Sequence, residues 1–277
     1  MKSVLITGCS SGIGLCVAEG LKQAGYQVFA TARQEKDVEA LKTKGFDALQ
    51  LDLALSTSIN NAVNTIFEKT DTLYGLIHNG AYGQVGALED ISREALEAQF
   101  QTNVFGWHEL TNLVLPRMKQ CNQGRIIYLS SVLGFVAMPF RGPYNASKFA
   151  IEGLVNTLRL ELANTNIQLS LMQPGPIESD FRINAYKAFS KNVDMQNSDY
   201  KERYEKMIVR LQSKELADFT LPAEAVLKCC LHALSAKRAK IHYHITFPTQ
   251  LFAFLIRILP TRWMDKILNK AGGGGER

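Results

Sequence analysis

Six short runs of almost uninterrupted apolar residues mark the first part of the chain: SVLITG, YQVFATA, FDALQLD, LYGLIHN, GRIIYLSS and IQLSLMQPG. Each leads into a stretch with the three-to-four-residue apolar spacing of a helix face, or with a helix-start signal. A strand that is half exposed alternates apolar and polar residues. Runs this continuous are what a parallel sheet needs when helices cover both of its faces. The pattern predicts an α/β fold, a doubly wound parallel sheet of the Rossmann type, as one domain over residues 1–245.

Between 178 and 217 the rhythm breaks. The segment ESDFRINAYKAFSKNVDMQNSDYKERYEKMIVRL is charged and rich in Tyr and Lys, and is read as an insertion over a site. PAEAVLKCCLHALSA then resumes a helix with Pro222 near its first turn, and AKIHYHITF supplies a last strand. Residues 246–270 are read as a C-terminal helical extension of the same domain, apolar and broken at Pro260, and 271–277 as a flexible tail.

Composition narrows the classes. A chain of 277 residues with 46% hydrophobic and 21% charged residues can bury a full-sized core without a disulfide or a metal staple. The net charge of +5 is spread along the chain and is not interleaved with aromatics, which argues against nucleic acid and leaves small anions as partners. The cysteines, Cys9, Cys16, Cys121, Cys229 and Cys230, are odd in number and lack metal-ligand spacing, so no metal is expected and a reducing compartment fits. The first strand begins at the third residue, which leaves no room for a signal peptide, and the expected location is cytoplasmic. The most apolar late run, 245–256, ends at Arg257 and is shorter than the ~20 residues a membrane span requires.

The stretch LITGCSSGIG, residues 5–14, places glycines between a strand and a helix. There a dinucleotide's pyrophosphate can meet unsatisfied N–H groups and the positive end of the helix dipole. Gly8 is expected to let the chain turn, Gly12 to remove a Cβ where phosphate approaches the backbone, and Gly14 to let the helix pack closely. Ser10, Ser11 and Ile13 complete the expected cradle. About 20 positions on, where an acid would bind a ribose 2′-hydroxyl, VFATAR offers Ala32 and then Arg33. A guanidinium there suits a 2′-phosphate, so NADP(H) is favoured over NAD(H).

The spacing TGxxxGIG (Thr7, Gly8, Gly12, Ile13, Gly14) resembles the short-chain dehydrogenase/reductase family, and three further groups of residues match it. Tyr144 and Lys148 in YNASK stand four apart, on one face of a helix. Ser131 ends the strand RIIYLSS and Asn103 lies in QTNVFG; with Tyr144 and Lys148 they match the family's Asn-Ser-Tyr-Lys constellation in order and spacing, over residues 3 to about 180. Ser130 points to the opposite strand face and is set aside. PGPIES (Pro174, Gly175, Pro176, Ile177) resembles the segment that grips the nicotinamide carboxamide. Asp52, with Leu53, matches the adenine contact. HNGA (His78, Asn79, Gly80, Ala81) departs from the usual NNAG, with Asn79 retained and His78 read as structural.

The chemistry suits these residue types. Carbonyl reduction delivers hydride to carbon and a proton to oxygen. A phenol needs about 4 kcal/mol of preference for phenolate to become a shuttle near neutral pH. Lys148, and the positive nicotinamide when the cofactor is oxidised, are expected to provide it, with Tyr144 as general acid and base, and Ser131 to hold the substrate oxygen. The resemblance implies that Asn103 keeps a helix irregularity and a water connected to Lys148, and that Lys148 and Tyr144 also hold the nicotinamide ribose.

Leu133, Phe135, Met138 and Phe140 are expected to line an apolar pocket, and Phe181, Tyr186 and Phe189 to reach it from a substrate lid over 178–217. The chain is most similar to the retinol and hydroxysteroid dehydrogenase branch, and within it to bacterial NADP-dependent aldehyde reductases. That implies reduction of a hydrophobic aldehyde or ketone by NADPH, in a homodimer or homotetramer paired through the helices of Asn103 and Tyr144. Two other readings remain open: an idle NADP(H)-binding sensor or scaffold, and a peripheral membrane enzyme suggested by the apolar stretch Leu251 to Leu268.

Overall fold

The apolar runs form strands β1 (Ser3–Ile6), β2 (Gln27–Ala32), β3 (Asp47–Gln50), β4 (Gly75–His78), β5 (Gly124–Leu129) and β6 (Ile167–Gln173), joined at the edge by the three-residue β7 (His242–His244). The computed structural model describes residues 1–213 and 215–275. All six neighbouring pairs are parallel, in the order β3-β2-β1-β4-β5-β6-β7. The chain winds outward from β1 to β3, then crosses back to lay β4 on the other side of β1. That reversal opens a crevice beyond the carboxyl ends of β1 and β4.

Helices α1 (Gly12–Gln23), α2 (Glu35–Thr43), α3 (Ser56–Lys69), α4 (Arg93–Phe100), α5 (Gly106–Gln120), α6 (Gly142–Glu161), α7 (Phe181–Asn192), α8 (Lys201–Gln212), α9 (Glu224–Ser235), α10 (Phe247–Ile258) and α11 (Thr261–Ala271) flank the sheet. Helix α1 packs on α9 over one face, and α3 packs on α5 over the other. Val4, Leu5, Ile6, Phe29, Leu76, Ile77 and Leu171 are inaccessible to solvent, which is why their strands carry no polar alternation.

Two smaller apolar clusters stand outside this core. The insertion 178–217, with Lys214 outside the described residues, supplies α7 and α8; Ala185, Phe189, Tyr204 and Met207 pack there on Val85 and Ala87. The extension breaks at Pro260, which caps α11, because proline cannot continue α10 through its missing N–H. Phe252, Met264 and Leu268 pack there on Val132, Leu133, Val136 and Tyr144. Of the expected tail, Ala271 closes α11 and Gly273–Gly275 form a turn in which Gly273 and Gly274 take positive φ, while 276–277 lie outside the described residues. Among the described residues no helix is long and apolar enough to cross a membrane.

Candidate active site

The glycine stretch turns from β1 into α1 at the mouth of the crevice. Gly8 has φ +71°, and a Cβ there would lie 2.6 Å from Gly80 Cα. A Cβ on Gly14 would lie 2.0 Å from the Gly8 carbonyl oxygen and 2.4 Å from Asn79 Nδ2. Gly8 thus turns the chain and also admits Gly80, while Gly14 leaves room for the close approach of Gly8 and Asn79. Gly12, at φ +55°, takes the left-handed conformation the turn needs, and its bare side meets Ser179 Cβ at 3.1 Å.

Asn79 clamps the loop, its Nδ2 donating to the carbonyls of Thr7 (2.9 Å) and Gly8 (2.8 Å), while Thr7 Oγ1 accepts from the backbones of Asn79 and Gly80. The interchange that puts Gly80 before Ala81 matches the contact with Gly8. His78 is a core residue: fully buried, bonded through Nε2 to Thr111 Oγ1 (2.8 Å), stacked on Trp107 and Tyr128, and held neutral by burial, which pushes it down to about 3.

A nicotinamide dinucleotide fits this cradle. The Ser11 side chain makes no capping bond to α1 and no acidic residue stands in the helix's first turn, so its N–H groups face an anion without competition. Ser10 is exposed and Ser11 and Ile13 half-buried at the same loop. Arg33 follows β2, exposed, close enough to Tyr82 for its charge to act on that phenol. Asp52 folds its carboxylate back onto the Ala54 N–H (2.9 Å), and Leu53 lies against Gly80. The Pro174 carbonyl accepts from Val132 N (2.8 Å), tying the segment after β6 to the serine loop; Gly175 packs on Thr246, and Ile177 bridges to Leu221.

Ser131, Tyr144, Lys148 and Asn103 converge beneath this loop. Ser131 caps a 3₁₀ turn, accepting from Leu133 N at 3.1 Å, and its hydroxyl stands near enough to the Tyr144 phenol to favour its ionised form. Lys148, one helical turn on, is 1% exposed; its Nζ donates to the Leu129 carbonyl (2.6 Å) and lies 4.4 Å from the centre of the Trp107 ring and 5.6 Å from that of Tyr144. Asn103 sits in a π-helical turn, Gln101–Phe105, between α4 and α5. Its amide exchanges bonds with the Tyr82 backbone (2.9 and 3.2 Å) and reaches Ser147 Oγ (3.2 Å). Asn103 therefore anchors the Tyr82 segment as well as helix α6.

The electrostatics correct one expectation. Burial pushes the Tyr144 phenol up to about 12, opposed by the Ser131 hydroxyl, where Lys148 with an oxidised nicotinamide was expected to depress it. Burial also pushes Lys148 down to about 7, opposed by Glu152. Desolvation is the larger effect at both groups, and the Lys148 amine is turned toward Leu129 and Trp107.

Glu152 and Gln173 went unremarked in the sequence. Glu152, a further turn along α6 from Lys148, is buried and accepts from Gln173 Nε2 (2.9 Å); Ser130 faces it beside Gly134, where a Cβ would lie 2.4 Å from Ser130 Oγ. Burial raises its carboxyl, while Ser130, Gln173 and Lys148 pull it down. One side chain thus joins the residues preceding Ser131 and Pro174 to the helix of Tyr144 and Lys148. The signal was its i, i+4 spacing from Lys148 along α6.

On the substrate side, the Phe181 ring lies 5.1 Å from that of Tyr144, and Leu133 is buried in the same cluster as Tyr144, with Phe135 and Met138 against it. Tyr186 is half-buried on α7. Phe140 and Phe189 are corrected: both pack edge-on against Tyr204 (5.8 and 4.9 Å) in the lid's own core. Each packs with the Val85 and Ala87 cluster.

Residues 2–188 match the family model described as short chain dehydrogenase. The chain is 41% identical to the uncharacterized oxidoreductase YbbO of Escherichia coli (strain K12) over 96% of its length and 94% of that protein. It is 40% identical to human retinol dehydrogenase 8 over 65% of its length and 60% of that protein. A crystal structure of a short-chain dehydrogenase from Streptomyces avermitilis superposes with a TM-score of 0.75 at 22% identity, over 99% of this chain and 97% of that one.

Proposed function

Since the chain belongs to the short-chain dehydrogenase family and is an oxidoreductase of it, we propose that it reduces a hydrophobic aldehyde or ketone to the alcohol with NADPH, Tyr144 supplying the proton. The observation that carries this reading is the convergence of the Ser131 hydroxyl, the Tyr144 phenol and the buried Lys148 amine beneath the glycine loop. A chain that only sensed a nucleotide has no physical need for the three together.

Bound NADPH would supply the hydride; the chain's own residues manage the oxygen and the proton. Ser131 donates to the carbonyl oxygen and holds it at the phenol. With its hold on the proton raised to about 12, Tyr144 is protonated at neutral pH, the state a general acid needs for reduction. The alkoxide left by hydride addition is a stronger base than phenolate, so the proton moves to it downhill. Lys148, whose own hold has fallen to about 7, is the nearest cation from which the phenolate can be neutralised. Arg33 supports NADPH as the nucleotide, and the apolar wall of Leu133, Met138 and Phe181 supports an apolar substrate.

The test is nucleotide consumption with NADPH and with NADH over aliphatic, aromatic and retinoid aldehydes and ketosteroids. NADPH is expected to be oxidised with a hydrophobic carbonyl, faster than NADH. NADPH binding with no turnover on any of them would leave a nucleotide-binding sensor or scaffold.

A further inference from the structure

Helix α10 is apolar on two opposite faces. Inward, Thr249, Phe252 and Ala253 are buried. Outward, Phe247, Leu251, Phe254 and Ile258 recur at i, i+4, i+7 and i+11, one stripe along the helix; all four are exposed, Phe254 by 58%. Phe219, also exposed, places its ring 5.4 Å from that of Phe247 and widens the stripe. Helix α11 continues the pattern. Its inward side buries Met264 and Leu268, while Trp263, 64% exposed, and Ile267 follow at helical spacing on the adjoining surface. Soluble chains expose single apolar residues freely, but a stripe of this length marks a surface that meets an apolar partner.

The charges around the stripe identify the partner. Beside Trp263 and Ile267 round the α11 cylinder run Arg262, Lys266 and Lys270 at i, i+4 and i+8, and Arg257 flanks the α10 stripe. The one carboxylate of this hairpin, Asp265, falls on the other flank of α11. A helix that passes from buried to exposed apolar to cationic around its circumference, with a tryptophan at the boundary, has the composition of one lying in a lipid headgroup layer. A protein partner of matching shape would not require the cations to gather on one side. We infer that the α10–α11 hairpin docks on the surface of a bilayer carrying anionic phospholipid, its aromatic and aliphatic stripe at the acyl boundary and its cations at the phosphates.

Docking places the site. The inward side chains of the same hairpin share a cluster with Tyr144 and Leu133, so docking would hold one wall of the candidate cleft at the membrane surface, where an apolar carbonyl compound is concentrated. That consequence, though not the docking, rests on the proposed carbonyl reduction.

The experiment is co-sedimentation of the full chain with sucrose-loaded vesicles of phosphatidylglycerol and phosphatidylcholine, and of phosphatidylcholine alone. Alongside run Phe254→Ser/Ile258→Ser and Lys266→Gln/Lys270→Gln, with urea midpoints as the check on folding. The wild type is expected to partition onto the anionic vesicles and, weakly, onto the neutral ones. The apolar pair lowers that partition roughly a hundredfold, and the lysine pair roughly thirtyfold on anionic vesicles only. Absence of binding to anionic vesicles, or binding by the folded apolar pair equal to the wild type's, overturns the docking. A wild-type dimer that the apolar pair converts to monomer, with neither binding vesicles, assigns the stripe to a second copy and overturns it equally. Vesicle binding without NADPH-dependent turnover leaves the docking standing and removes the carbonyl reduction.

Discussion

Replacing Lys148 with Met removes a buried cation while keeping a side chain of similar length. Burial lowers the hold of this amine on its proton from its ordinary 10.5 to about 7. Below pH 7 both the folded and the unfolded chain carry the proton, and the folded chain bears the full desolvation penalty. Between about 7 and 10.5 the folded chain has released the proton and the unfolded chain has not, so the wild type gains about 1.4 kcal/mol of stability per pH unit. From about pH 6 to pH 9 that gain amounts to about 2.7 kcal/mol, all of it above pH 7. Lys148→Met has no such proton to release, so its stability relative to the wild type falls by the same amount over that interval. The lost bond to Leu129 and the lost contact with Trp107 enter at both ends and leave the difference standing. Urea unfolding of the two proteins at each pH measures it. Curves that keep a constant separation from about pH 6 to pH 9 would show that the ammonium is not desolvated, and would refute the proton order proposed for the site.

Three further substitutions probe the cradle and its supports. Gly14→Ala forces a Cβ to 2.0 Å from the Gly8 carbonyl and is expected to cost about 1–3 kcal/mol in urea unfolding and to weaken NADPH binding, and intact stability and binding would contradict the packing described. Arg33→Asp is expected to raise the KM for NADPH about ten- to a hundredfold with little change for NADH; an unchanged ratio would mean the 2′-phosphate is held elsewhere. Glu152→Gln removes the charge that strengthens Lys148's hold on its proton, so the alkaline loss of kcat is expected to begin at lower pH, whereas a purely structural Glu152 would leave the pH profile in place.

The fold was legible because burial on both faces of the sheet leaves strands such as VLIT and RIIYL with no polar alternation. Even β7 could be read, since AKIHYHITF follows the last helix of the rhythm. Residues brought together by spacing along one element, or at the carboxyl ends of neighbouring strands, were legible too: Tyr144 and Lys148 by helical spacing, Asn79 and Gly8 by the crevice between β4 and β1. Two kinds of residue escaped. Phe140 and Phe189 look like pocket aromatics until the fold brings up Tyr204, a contact no local pattern encodes. The titration of Tyr144 escaped because it depends on how completely the site is dried. Spacing places a cation near the phenol but does not show that both groups are desolvated enough for burial to prevail.

The most direct measurement is the rate of NADPH oxidation by Tyr144→Phe at saturating aldehyde, with NADPH affinity titrated on the same protein. If Tyr144 is the acid that protonates the carbonyl oxygen, nucleotide affinity stays close to the wild type's while kcat falls about 10²- to 10⁴-fold. Turnover equal to the wild type's, with the nucleotide equally well bound, would show that the proton comes from another group and that the Ser131, Tyr144 and Lys148 cluster does not carry the reaction.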